Sequence, residues 1–325
     1  MAALAHVDLG PVDIAAWAAG NTGIPYATTL MSGRPGPHVV VTALVHGNEV
    51  CGAHALKFLF ENRIAPSCGK LTLVFANVAA YLTFDAGRPV ASRYLDEDLN
   101  RVWSPAILDG PRDSRELRRA RELRPLIATA DFLLDLHSMQ SASPPLILCG
   151  TQGKGRELAR KVGYPAHVVA DAGHAAGPRM RDYGAFADDA RPESALLVEC
   201  GQHWQTVTRA VAIETMLRFL LAVGAIAPET AAGYLQAQAP VPQHLIEVTE
   251  AVTIANDDFA FVADYSGLEV VERAGTIIGH DGGKPIRTPY DRCVLVMPTR
   301  RLQKGQTAVR FGRLRGQLHG PLRIA

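Results

Sequence analysis

Between about residue 38 and residue 223, apolar runs of strand length alternate with longer segments of helical period. That alternation confines the chain to an α/β fold, a mixed and largely parallel sheet flanked by helices. The run HVVVTALV over 38–45 reads as a buried strand, and 50–62 as the helix after it. Further strands are expected at 71–76, 132–136, 146–148 and 195–198, with a long apolar helix over about 205–223. Asp113 can cap a helix that carries Glu116 three residues on and runs to about Ala128. The stretch 78–112 before it is rich in Gly, Pro and charges, and loops of that length are functional or disordered.

The texture then changes. Residues 226–243, rich in Ala, Gln and Pro, read as a linker. Beyond it come short β-branched runs punctuated by Gly, the pattern of a small all-β domain. The expected division is a catalytic domain with its N-terminal extension over 1–225, the linker, and a β domain over 244–325. The run Gly279-His280-Asp281-Gly282-Gly283 faintly resembles a biotinyl/lipoyl-type barrel. It lacks the Met-Lys attachment signature, so no tethered cofactor is expected.

A formal net charge of +1 over 325 residues leaves no broad electrostatic footprint for nucleic acid or an anionic membrane. The partner expected is a small molecule, recognised locally, and a homo-oligomer is left open. Five scattered cysteines without a CxxC pair suggest neither a disulfide framework nor a thiolate metal site. The start, Met1 to Asp8, lacks the pattern of a signal peptide, and no apolar stretch has a membrane helix's length. The expectation is a cytoplasmic protein.

Three expected strands end in residues suited to zinc chemistry: His46-Gly47-Asn48-Glu49, Asp135-Leu136-His137 and Val198-Glu199-Cys200-Gly201. Ligands collect at the carboxyl ends of strands in an open α/β sheet. Two His and one carboxylate make three protein ligands and leave a fourth zinc position for water, whose proton a further carboxylate can take. An HxxE pair also arises by chance, and this chain holds a second, His244 with Glu247. That pair straddles linker and strand, where residues three apart point to opposite faces. His46 and Glu49 lie instead in a strand-to-helix turn. Asp135 stands two residues before His137 on the same strand face, placed to fix the imidazole tautomer from behind or to form a plain salt bridge.

These segments, with Arg93 and Asp98-Leu99-Asn100-Arg101, resemble the succinylglutamate desuccinylase/aspartoacylase family, a branch of the zinc carboxypeptidase-like fold. Four separated motifs occur in the family's order over about residues 38 to 205. The resemblance implies one zinc per chain, bound by His46, Glu49 and His137, with Glu199 activating the water. It implies that Arg93 polarises the scissile carbonyl and that Asn100 and Arg101 grip a substrate carboxylate. In isolation, Arg93 and Arg101 would read as solvated loop charges. Aspartoacylase has a further substrate arginine before its catalytic glutamate; here Arg191 is nearby in sequence but does not align. His203 reads either as a pocket residue or as a structural histidine, and Tyr290 is a candidate to reach the site from the β domain. His54, His167 and His174 fit no ligand pattern.

The function expected is hydrolysis of the amide of a small N-acyl amino acid or a related N-acyl carboxylate. The alternatives are a metallocarboxypeptidase acting on short peptides and a non-catalytic binding protein on the same fold. The last has to explain why every ligand and Glu199 are present.

Overall fold

The computed structural model describes residues 6–173, 176–235 and 242–318. His174 and residues 236–241 of the expected linker lie outside the described residues. Eleven strands form one mixed sheet. Its first part comprises β1 (Ala27–Met31), β2 (His38–Ala43), β3 (Lys70–Phe75) and β4 (Phe132–Met139). It continues through β5 (Leu146–Leu148), β6 (His167–Ala170) and β7 (Ser194–Gln202). The later strands of the chain, not all of them in this sheet, are β8 (Gln243–Thr253), β9 (Ala260–Phe261), β10 (Glu269–Val271) and β11 (Ile277–Asp281). The last three are β12 (Lys284–Arg287), β13 (Cys293–Val296) and β14 (Thr307–Leu318).

The order across the large sheet is β1-β3-β2-β4-β7-β5-β6-β8-β14-β13-β10, with β3, β2, β4 and β7 parallel at its centre. Helices cover both faces there, so these strands are apolar on both sides rather than alternating. Val39, Val41 and Ala43 of β2 pack into one core with the helices Cys51–Glu61 and Val207–Ala222. Val40 points the other way, into the core shared with the helix Arg115–Ala128.

The cap of that helix differs from expectation. Ser114, not Asp113, accepts the N–H of Leu117. Glu116 is wholly buried, and its carboxylate accepts the backbone N–H groups of Leu95, Asp96 and Glu97 together with the Asn77 amide. One carboxylate thus replaces secondary structure as the acceptor for a loop that would otherwise bury unpaired donors. Short helical turns at Val78–Tyr81, Pro89–Arg93, Leu99–Arg101 and Pro105–Leu108 order the rest of this segment.

The region expected to form a small β domain has its own apolar cluster around Ile254, Ile278 and Phe311. It shares its sheet with the rest of the chain: β8 runs parallel to β6, with His244 opposite His167, and pairs antiparallel with β14. Strands β12, β11 and β9 form a separate three-stranded sheet. All five cysteines are free. Among the described residues no helix is long and apolar enough to cross a membrane.

Candidate active site

Parallel register brings the site together. On β4 and β7, His137 stands directly opposite Glu199, and on β2 and β4, Thr42 stands opposite Asp135. His46 and Glu49 follow β2 in the turn before the helix Cys51–Glu61. Gly47 makes that turn possible: a Cβ there would lie 2.4–2.5 Å from the backbone of Ala80, Tyr81 and Ser92. Its N–H donates to the carbonyl of Arg93 at 3.0 Å, tying the turn to the long loop.

The donors of His46, Glu49 and His137 all lie within 4.8 Å of one another, and the three residues are buried. His46 Nδ1 is 2.7 Å from Glu49 Oε1 and His137 Nδ1 is 2.8 Å from Oε2, so both imidazoles aim the same nitrogen at one carboxylate. Their far nitrogens are each backed by an acid: His46 Nε2 by Asp98 at 2.9 Å and His137 Nε2 by Asp135 at 2.7 Å. Asp135 is itself fixed by the Thr42 hydroxyl at 2.6 Å. Two imidazoles and a carboxylate converging on one point, each imidazole with a carboxylate behind it, form a donor set that fits a divalent transition-metal ion. The three residues can hold such an ion.

Electrostatics follow from burial. Desolvation alone would raise the Glu49 carboxyl, but the His46 and His137 rings outweigh it and hold it well below the usual carboxylate range. Glu199 goes the other way: burial and the nearby Glu49 carboxylate push it up to about 8. Its Oε2 is buried without a hydrogen-bond partner. An orphaned buried carboxylate oxygen is costly unless something enters the site to meet it.

Arg93 donates from Nη1 to Glu49 Oε1 at 3.0 Å and from Nη2 to Asp98 at 3.3 Å. Arg101 lines the same pocket, with Nη1 donating to the carbonyl of Asn100 at 2.7 Å and Nη2 4.0 Å from Asp98. Asn100 lines the pocket and has partners of its own. Its Nδ2 lies 3.4 Å from both Asp135 and His137, and its Oδ1 accepts the N–H of Met180 at 2.7 Å. The amide thus braces the site's interior and the segment after Gly177, and the residue also lines the pocket.

His203 is buried behind the site rather than on the pocket wall. Ser138 Oγ lies 2.7 Å from its Nδ1, its Nε2 is 4.0 Å from Glu49, and burial pushes its pKa down to about 3. Arg191 is paired with Glu193 at the surface, and Tyr290 bonds Thr249 at 2.7 Å within the β region; neither lines the pocket. His54 bonds the carbonyl of Gly10.

Sequence reading missed three pocket features. Asp98 opens the motif Asp98-Leu99-Asn100-Arg101, but nothing local showed that it would back His46. Arg179 follows Pro178 in a segment with no motif. Arg310 was signalled, in the way Asp135 was, by a charge inside the apolar run Ala308-Val309-Arg310-Phe311. Both arginines are buried and line the pocket, and they meet at one carboxylate: Arg179 Nη2 is 2.8 Å and Arg310 Nε 3.2 Å from Asp171 Oδ2. Burial lowers the Arg310 pKa to about 10, which leaves it charged at neutral pH.

The motifs and the fold have counterparts in known proteins. A solved succinylglutamate desuccinylase from Vibrio cholerae superposes with a TM-score of 0.64 at 17% identity, covering 90% of this chain and 86% of that one. The curated succinylglutamate desuccinylase of Burkholderia lata is 26% identical over 288 residues, 83% of this chain and 77% of its own. An N-acyl-aromatic-L-amino acid amidohydrolase of Rattus norvegicus is 33% identical over 116 residues, 33% of this chain. The match spans only 35% of that relative's length. The family model of the succinylglutamate desuccinylase/aspartoacylase catalytic domain matches residues 35–226, which include every strand end that builds the His-Glu-His cluster. By that match the chain belongs to the succinylglutamate desuccinylase/aspartoacylase family.

Proposed function

We propose that the protein is a zinc-dependent amidohydrolase that cleaves the amide of a small N-acyl amino acid, with one zinc per chain. The observation that carries this reading is the meeting of three metal donors with a further carboxylate, Glu199, whose buried Oε2 has no partner, in one pocket. A zinc ion held by His46, Glu49 and His137 supplies Lewis-acid polarisation of the acyl carbonyl and makes water more acidic.

The chain's own groups do the rest. Glu199 accepts a proton as the water oxygen bonds to the acyl carbon, then delivers it to the amine nitrogen as the C–N bond breaks. A carboxyl group raised toward neutrality suits both halves of that exchange. Arg93 offers a guanidinium to the oxygen on which negative charge develops. Arg101, with Asn100 beside it on the pocket wall, is the expected partner of a substrate carboxylate. Residues Met297 to Arg301 and Gln306, Thr307 and Arg310 close one side of the pocket, which favours compact substrates over peptides. The names of the relatives, a desuccinylase and an N-acyl amino acid amidohydrolase, support the same substrate class.

The test is a hydrolysis screen of zinc-loaded protein against N-acetyl, N-succinyl and N-formyl amino acids, with dipeptides alongside. Turnover of an acylated amino acid, lost with Glu199→Gln, is the expected result. Turnover of dipeptides alone would replace this reading with a carboxypeptidase.

A further inference from the structure

Two arginines of the pocket wall, Arg179 and Arg310, have no part in the chemistry above. Arg179 and Arg310 are each about 96–97% buried, yet both line the pocket. Their shared ion-pair partner is the single carboxylate of Asp171, itself 3% exposed. Arg179 Nη1 has no hydrogen-bond partner. Arg101 is near enough to both for their positive charges to oppose one another. Asp171 is the one carboxylate both guanidinia pair with directly, Asp182 and Glu199 acting from farther away, and a buried charge is tolerated when something pairs with it.

Arg310 comes from β14, where it faces the pocket while its neighbours Val309 and Phe311 enter the C-terminal core. Asp171 follows β6, and Arg179 belongs to the segment before Met180. The cluster is therefore assembled from three distant stretches of chain, and an ion pair joins the C-terminal region to the rest of the pocket.

We propose that Arg310 is a specificity-determining residue, which with Arg179 and Arg101 completes the seat for a carboxylate of the substrate, Asp171 holding the two buried guanidinia in place. This rests on the amidohydrolase reading and deepens it. The seat adds Arg179 and Arg310 to Arg101, all three of which line the pocket. The C-terminal region thereby acquires a task, choosing anionic over neutral substrates. A guanidinium suits it because its fork meets both oxygens of a carboxylate, which an ammonium cannot.

The test is direct binding of two probes of equal size, succinate and succinamide, to wild type, Arg310→Met and Arg310→Lys, by calorimetry or thermal shift. Wild type should prefer succinate. Arg310→Met should weaken succinate by about 10- to 100-fold, the worth of a hydrogen bond to a charged group, and leave succinamide unchanged. Arg310→Lys should fall between. If the Met variant does not fold, the Lys variant decides, since it keeps the charge and loses the fork. Three outcomes overturn the proposal: no preference for succinate in wild type, equal succinate affinity in wild type and variant, or equal loss of both probes. Binding does not depend on turnover. Succinate preference without hydrolysis of any acyl amino acid would therefore sink the amidohydrolase reading and leave the seat standing.

Discussion

The pocket has two walls built on different principles. One is made of strand ends: His46 and Glu49 after β2, Asp135 and His137 on β4, Glu199 on β7. Its geometry follows from register, because neighbouring parallel strands place His137 beside Glu199 whatever the loops do. The other wall is made of Arg101, Arg179 and Arg310, which come from distant stretches of the chain and are held by Asp98 and by the shared carboxylate of Asp171. A sheet fixes position through many backbone bonds at once, whereas an ion-pair cluster fixes it through a few side chains. The first wall should thus carry the chemistry and tolerate little change, and the second should adjust which substrate is taken.

The sharpest break between the walls is at Glu199. Glu199→Gln should lower kcat by about 10²–10⁴-fold, the usual contribution of a general base, with metal content unchanged. Metal analysis and steady-state kinetics on one preparation check both halves. Wild-type turnover in the Gln variant would make Glu199 structural. Removing a donor should act on the metal instead. His137→Ala, or His46→Ala, leaves two protein ligands and should release the zinc, read as metal per chain after dialysis. Full occupancy would overturn the assignment of the donors.

Next in size is a comparison within the metal site itself. Asp135 and Asp98 do the same thing for different histidines, but Asp135 is wholly buried and braced by Thr42, whereas the Asp98 side chain is 16% exposed. Partners of this kind are worth about 10–100-fold in metal affinity. Asp135→Asn should therefore lie near the upper end and Asp98→Asn near the lower, in a competition titration with a chromophoric chelator. The reverse order would mean that exposure does not set their worth. Equal and negligible effects would return both to plain salt bridges.

How much of this was legible follows the same line. The central strands, the helix after β2, the closing helix and the His-Glu-His cluster could be read from the chain, because apolar runs and strand-terminal motifs are local signals. The contacts of Asn100 were not legible because the motif gives its neighbours in sequence and not its partners in space: its amide meets Asp135, His137 and the backbone of Met180. Asp171 and Arg179 offered no signal, since nothing near them in sequence records that β14 passes by. Arg310 did, as a lone charge in an apolar strand. Residues carried by a sequence motif were visible, and those whose partners come from distant stretches of chain were not.

The smallest effect tests a local reading of the same kind. Asp113 and Ser114 are both good N-cap residues, and Asp113, with Glu116 three residues on, matches the capping-box spacing. The structure chooses Ser114, because Glu116 is drawn inward to accept the N–H groups of Leu95, Asp96 and Glu97 and cannot turn back to a cap. Ser114 Oγ accepts from Leu117 N and also donates to Glu97 at 2.6 Å, so it joins the helix to the loop that carries Asp98 and Arg101. Ser114→Ala should cost about 1 kcal/mol, typical for a lost cap, and Asp113→Ala should stay within about 0.5 kcal/mol, typical of an exposed site. Chemical denaturation of the two variants separates them. If Asp113→Ala proved the more damaging, the helix would start one residue earlier than the structure has it, and the link from cap to loop would pass through another side chain.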